Sequence, residues 1–167
     1  MMQRSMIDKL MEMSNRHAAD MAELWYKSLS TNPRTVSCLT LPKQFCIFQA
    51  TTLYSSLESM YQADDCYSEV EKLMNKLDIA SELYKRGVPI EDALYALILL
   101  RRRIWLYADS QAVFNTSPND MYNCVESINR VLLIFDYITY IFSRKYHELT
   151  INAFKEASQN KANIKSK

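Results

Sequence analysis

The chain has 167 residues, enough for one hydrophobic core of ordinary size, and no Gly-, Pro- or Ser-rich linker divides it, so a single domain is expected. One glycine and 4 prolines leave almost none of the positive-φ positions that hairpin turns demand, which argues against sheet and for an all-α fold. A formal net charge of +1 excludes a global attraction to nucleic acid or acidic lipid, and neither is expected as a partner.

Taken in chain order, the amino terminus MMQRSMIDKLMEMSNRH places charges where a signal peptide would need an apolar centre, and a cytosolic chain is expected. A first helix is predicted from Met6 to Leu29, with Met6, Leu10, Met13, His17, Met21 and Leu24 on one side. Asn32-Pro33 and Leu41-Pro42 bracket a loop over Ser30 to Leu41, because the residue before proline avoids the helical region. A second helix follows from Pro42 to Gln62. Two sets compete for its inward side, one containing Phe45, Phe48 and Gln49 and the other Leu53, Leu57 and Met60, and its many hydroxyl residues blur the choice.

Asp64-Asp65 offers an N-cap to a third helix in which Cys66, Val70, Leu73, Leu77, Ala80 and Tyr84 recur at helical spacing until Gly87 ends it. The stretch Gly87 to Ala108 is the centre of the pattern. Pro89 suits its first helical position, Glu91 and Asp92 complement the helix dipole, and Ile90, Ala93, Leu94, Leu97, Ile98, Ile104, Trp105 and Ala108 form an apolar stripe. Arg101 lies within that stripe, and Leu99 and Leu106 point the other way, so the helix is expected to be sandwiched within its domain or against a partner.

Asn115 to Pro118 is turn-rich, with Ser117 as cap and Pro118 as first residue of a last helix reaching Leu149, about 48 Å long at 1.5 Å per residue. Its core face is read as Ile128, Val131, Leu132, Phe135, Ile138 and Phe142, with Ile134, Tyr137 and Ile141 opposite. The run Val131 to Phe142 is too short to span a bilayer, so no membrane partner is expected. The helical domain is placed at 1–150, and the polar, aperiodic residues 151–167 are expected to be a disordered tail.

Chemical signatures are scarce. A single glycine precludes GxGxxG, P-loop and GxSxG motifs, no HExxH is present, and Cys38, Cys46, Cys66 and Cys124 lack metal spacing, so neither catalytic residues nor a metal site are assigned. No cofactor is expected. The alternative is haem, whose axial ligand would be His17, on the apolar face, or His147, in a charged run; a hydrogen-bonded core histidine is the plainer account of His17. Arg101 reads either as a snorkelling side chain or as one half of a buried pair with Asp136, with an anionic ligand as a further choice. Successive helical residues diverge by about 100°, so Arg101, Arg102 and Arg103 cannot form one nucleic-acid surface.

The order KLDIASELYKRGVPIEDALYALILLRRRIW, a polar break, then ESINRVLLIFDYITYIFSRKYHEL resembles the amino-terminal sensor domains of bacterial stress-response regulators of RsbR and RsbRD type. Related domains precede some sensor histidine kinases. The resemblance covers Lys76 to Leu149 and rests on a helix stopped before a short proline turn, a hydrophobic helix ending in basic residues, and a long last helix with an aromatic, basic end. It implies a globin-like bundle of five or more helices that lacks haem, forms a homodimer through its long helices, and signals to an output domain or protein. No STAS or kinase domain follows in this sequence, so the output is expected to be a separate protein or a part of a longer chain. Ile134, Tyr137 and Ile141 are the expected dimer interface, joined by Leu99 and Leu106. A helical adaptor without any ligand is the remaining reading.

Overall fold

The computed structural model describes residues 5–115 and 121–165, with side chains described for 5–115 and 122–161. All regular structure among them is helical: α1 (Met6–Arg16), α2 (Ala18–Thr31), a 3₁₀ turn (Val36–Thr40), α3 (Lys43–Ser55), α4 (Leu57–Gln62), α5 (Cys66–Leu77), α6 (Ile79–Lys85), α7 (Ile90–Ser110) and α8 (Met121–Lys165). The expected N-cap Ser117 and Pro118 lie outside the described residues.

The three expected amino-terminal helices are each broken once. His17 departs from helical geometry at φ −111°, ψ 20° and separates α1 from α2. In the second helix the hydroxyls bond back to their own turn, Thr52 Oγ1 donating to Phe48 O at 2.8 Å and Ser55 Oγ to Thr52 O at 3.2 Å, a competition that bends helices, and the break falls at Ser56. Asp78 breaks the third by entering the left-handed region at φ 47°, where its Oδ1 accepts from Ser81 Oγ at 2.6 Å. The N-cap at Asp65 is present, its carboxylate accepting from the Ser68 backbone N–H at 3.1 Å and from its hydroxyl at 2.6 Å.

Two helix ends share one device. After α6, Gly87 at φ 67° donates to Tyr84 O and Val88 to Leu83 O; after α7, Ala112 at φ 54° donates to Asp109 O and Val113 to Ala108 O. Both are Schellman ends, which place one residue in the left-handed region. The predicted loop is also more ordered than expected. Asn32 Oδ1 accepts from the Arg34 N–H at 2.9 Å, buried Thr35 donates to Leu29 O at 2.7 Å, and the chain then winds into its 3₁₀ turn.

Packing places α7 in the middle. It contacts α1, α2, the 3₁₀ turn and α8, while α3 packs on α2, and α5 and α6 pack on α8. Trp25 of α2 ties this core together by donating Nε1–H to Ala96 O of α7 at 3.0 Å, and buried Tyr54 of α3 donates to Leu100 O at 2.8 Å. Leu99 is buried with Ala93, Ala96, Leu97, Leu100, Ile104 and Ala108, so the buried face of α7 is broader than the expected stripe, whereas Ile98, expected in that stripe, is 45% exposed.

On α8 the buried set among the described residues is Cys124, Val131, Ile134, Phe135, Ile138, Ile141, Phe142 and Tyr146. Ile134 and Ile141 therefore belong to the chain's own core, because α5 and α6 occupy the side that had been assigned to a partner. The residues beyond Ile151 also depart from expectation. They continue α8 as helix to Lys165, and every side chain from Ile151 to Lys161 is exposed, so this segment extends the helix without packing on the bundle. Asn, Lys, Glu, Gln and Ala are all compatible with helix once a long packed helix has supplied the nucleus.

Candidate functional site

An interior cavity of about 50 Å³ lies where α2, α3, α6 and α7 meet. Its wall is almost wholly apolar, including Trp25, Leu53, Leu83 and Leu97, with the two thiols of Cys38 and Cys46 and one amide, Gln49, as its polar components. Burial pushes both thiols up to about 11, in Cys38 against the lowering effect of a hydrogen bond with Ser37. The wall is therefore uncharged at neutral pH.

Gln49 is the odd member. It is 7% exposed, its Nε2 donates a long bond to Leu77 O at 3.4 Å, and its Oε1 has no hydrogen-bond partner. Exchanging the amide atoms would bring oxygen toward the Leu77 carbonyl, so the donor to Leu77 fixes the orientation. Sequence reading had placed Gln49 among the candidates for the inward side of its helix without giving it a role. The usable signal was a polar amide within an otherwise apolar helical face.

Arg101 and Asp136 do approach, Nη1 to Oδ1 at 3.6 Å, but their side chains are 39% and 64% exposed. The pair is thus a surface contact between α7 and α8 rather than a buried one, because Asp136 lies on the outward side of α8; such pairs contribute about 0–1 kcal/mol. The neighbouring arginines diverge. Arg102 is exposed, while Arg103 turns inward, donating Nη2–H to Ser28 Oγ at 2.6 Å and burying an Nε that has no partner among the described residues. Burial pushes the Tyr54 hydroxyl well above its ordinary range, and the positive charge of Arg103 partly offsets that shift.

Neither histidine faces an enclosed space. His17 stands at the α1–α2 bend with its Nδ1 3.3 Å from Asp20 Oδ2, its ring 5.6 Å from that of Tyr107, and a third of its side chain exposed. His147 is exposed on α8. Haem needs several hundred Å³ of enclosed apolar volume, on the scale of ordinary ligand pockets, with an axial ligand facing it. The 50 Å³ cavity is walled by neither imidazole, and the hollow of about 200 Å³ that His17 does line is open and shared with Lys9, Glu12, Arg16 and Gln111, so neither space fits that group. Among the described residues, no group of three or more His, Cys, Asp or Glu side chains could hold a metal ion, and no helix is long and apolar enough to cross a membrane.

Of the five residues expected at a dimer interface, Leu99, Ile134 and Ile141 are removed from it by burial in the bundle. Tyr137 is half-buried and meets Tyr67 of α5 edge-on at 5.2 Å, and Leu106 remains 45% exposed. The outward side of α8 carries a different set. Tyr122, Val125, Leu133, Tyr140, Ile151 and Phe154 are all exposed, and at about 100° per residue they fall within one side of the helix, opposite its buried face. Leu133, Tyr140 and Phe154 are separated by whole heptads, the repeat that keeps a seam against a neighbouring helix. The chain matches no family model, no curated protein and no solved structure significantly.

Proposed function

We propose that this chain is a non-catalytic sensory or regulatory module that forms a homodimer through α8 and relays a ligand or partner signal to an output protein or domain as a change in helix packing. The observation that carries the reading is the exposed heptad series Leu133, Tyr140 and Phe154 on a helix that runs on past its own bundle. Burying the aromatic rings of Tyr122, Tyr140 and Phe154 from their present exposures would remove about 400 Å² per copy, half of a standard interface, before any other residue is counted. The resemblance of Lys76 to Leu149 to RsbR-type sensor domains supports the same reading and carries with it a globin-like arrangement of the helices. A helix packed on α5, α6 and α7 over part of its length and bare over the rest is suited to passing a packing change along its axis.

Sedimentation equilibrium across a concentration series tests the dimer. The wild type is expected to dimerise and the double variant Tyr140→Glu, Phe154→Glu to sediment as a folded monomer, since both side chains are exposed in the single chain. A monomeric wild type at about 100 µM, or a dimer indifferent to both charges, overturns the proposal and turns the α8 stripe toward a different protein, as in an adaptor.

A further inference from the structure

We infer that His147 makes the α8 dimer pH-sensitive: in a parallel, in-register pair it faces its own copy in the seam, and taking up a proton there weakens assembly. The inference rests on the dimer of the proposed function and adds its regulation. Leu133, Tyr140 and Phe154 recur at whole heptads, and His147 fills the place between the last two. At about 100° per residue it falls about 20° from Tyr140 and from Phe154, so it stands within the bare stripe, and its side chain is exposed.

The spacing of the exposed apolar residues sets the direction of the pair. Tyr122, Val125, Leu133, Tyr140, Ile151 and Phe154 are not symmetric about any residue of α8. An antiparallel pair centred on Ile138 joins Tyr122 to Phe154 and Val125 to Ile151, but it sets Leu133 against Ser143 and Tyr140 against Asp136. A parallel pair in register sets each of the six against its own copy, and the burial of apolar area that drives association then favours it. Asp136, on the same side of the helix, has its partner within the chain in Arg101 of α7, at 3.6 Å.

In that seam a neutral imidazole packs beside aromatic rings, whereas a protonated one loses water and meets a second positive charge. The neighbouring carboxylates do not offset this, because Arg144 engages them. Its guanidinium lies 6.0 Å from the Tyr140 ring, bonds to Glu71 Oε1 of α5 at 2.5 Å and to Tyr67 OH at 3.0 Å, and stands 3.9 Å from Glu148. On the inner side of α8, Tyr146 turns to Tyr84 of α6 and to the Val88 carbonyl, with Glu91 of α7 acting on that hydroxyl, while Glu82 of α6 is paired with Lys85. Histidine changes charge between about pH 5 and 8. The dimer prefers the neutral form, so its stabilisation is complete above that range and is lost as pH falls through it, each copy taking up a proton as the pair separates.

The test is sedimentation equilibrium of the full chain at about pH 7.5 and about pH 5.5, with circular dichroism reporting the fold at both. The wild-type dissociation constant is expected to rise about tenfold or more at the lower pH, and that of His147→Gln, which cannot titrate, to change by less than about threefold. Direction is read separately at the higher pH from Ser158→Cys in a Cys66→Ser background. Ser158 is exposed within the stripe, and diamide is expected to link two copies there, whereas an antiparallel pair centred on Ile138 holds the two positions about 60 Å apart. A dimer that is unchanged or tighter at the lower pH, a His147→Gln chain that weakens as the wild type does, or the absence of a covalent dimer overturns the inference and leaves the proposed function standing. A wild type that is monomeric at both pH values overturns the two together.

Discussion

Ile134 and Leu133 are adjacent in sequence and opposite in environment, and replacing each by alanine separates the bundle from the proposed interface. Ile134 is 0% exposed and packs beneath α8, whereas Leu133 is 41% exposed on its outward side. Ile134→Ala deletes three buried carbons, about 2.4 kcal/mol of transfer free energy at about 0.8 kcal/mol per methylene, and the unfilled space adds roughly another 1 kcal/mol. In a chain of this length a loss of about 3.5 kcal/mol lowers Tm by about 10 °C. Leu133→Ala removes carbons already half in water and should cost the single chain less than about 1 kcal/mol. The assay is urea and thermal unfolding by far-ultraviolet circular dichroism at one fixed protein concentration, because dimerisation would otherwise enter the midpoint. Sedimentation of the same samples reports assembly. An Ile134→Ala variant of wild-type stability that no longer dimerises would refute the placement of α8 and restore Ile134 to an interface.

Further outcomes follow from other parts of the structure. With their thiols raised to about 11, Cys38 and Cys46 have a thiolate fraction of about one thousandth at pH 8, so in native protein they should resist a disulfide reagent while half-exposed Cys66 reacts; fast labelling of all four would contradict the burial. Gly87→Ala meets no atom within 4 Å and should lose about 1 kcal/mol through its left-handed φ alone, whereas Ala112→Gly should gain about the same, and urea midpoints moving in the same direction would refute the two Schellman ends. Hydrogen bonds from the Ser68 hydroxyl and backbone hold the Asp65 carboxyl below its ordinary range, so its stabilisation is complete above the unfolded-state value and fades as pH falls through the folded one. Asp65→Asn keeps an acceptor for the helix end but cannot titrate, and should therefore show a flatter fall in urea midpoint below about pH 4 than the wild type. Identical slopes would remove Asp65 from the acid response.

Local signals in the sequence were read with most success where a single residue type does the work. Gly87 ends α6 in the left-handed region and Asp65 caps α5, while Pro89, expected as the first helical residue, stands one position earlier as the extended N-cap of α7. What the local pattern left out were left-handed positions filled by residues other than glycine. Asp78 is stabilised there by its own contact with Ser81, and Ala112 is held by the packing of a buried Val113, so neither break announces itself by composition. The hydroxyl-rich stretch at Thr51 to Ser59 had been read as a blurred face; it is a bend, because those hydroxyls compete with the helix for its carbonyls.

The candidate site was less legible for a reason of dimensionality. Gln49 becomes exceptional only when Trp25, Leu83 and Leu97, from three other helices, close around it and leave its oxygen without water. Likewise a helix apolar on two sides looks the same in sequence whether its second side meets α5 and α6 or a second molecule. Composition and periodicity by themselves determined that this is an all-α chain with a long amphipathic last helix, since one glycine and a helical repeat constrain each residue through its near neighbours. Only the tertiary structure decided which apolar side of α8 is core, which remains bare, and where a polar group is stranded, because those depend on contacts between residues tens of positions apart.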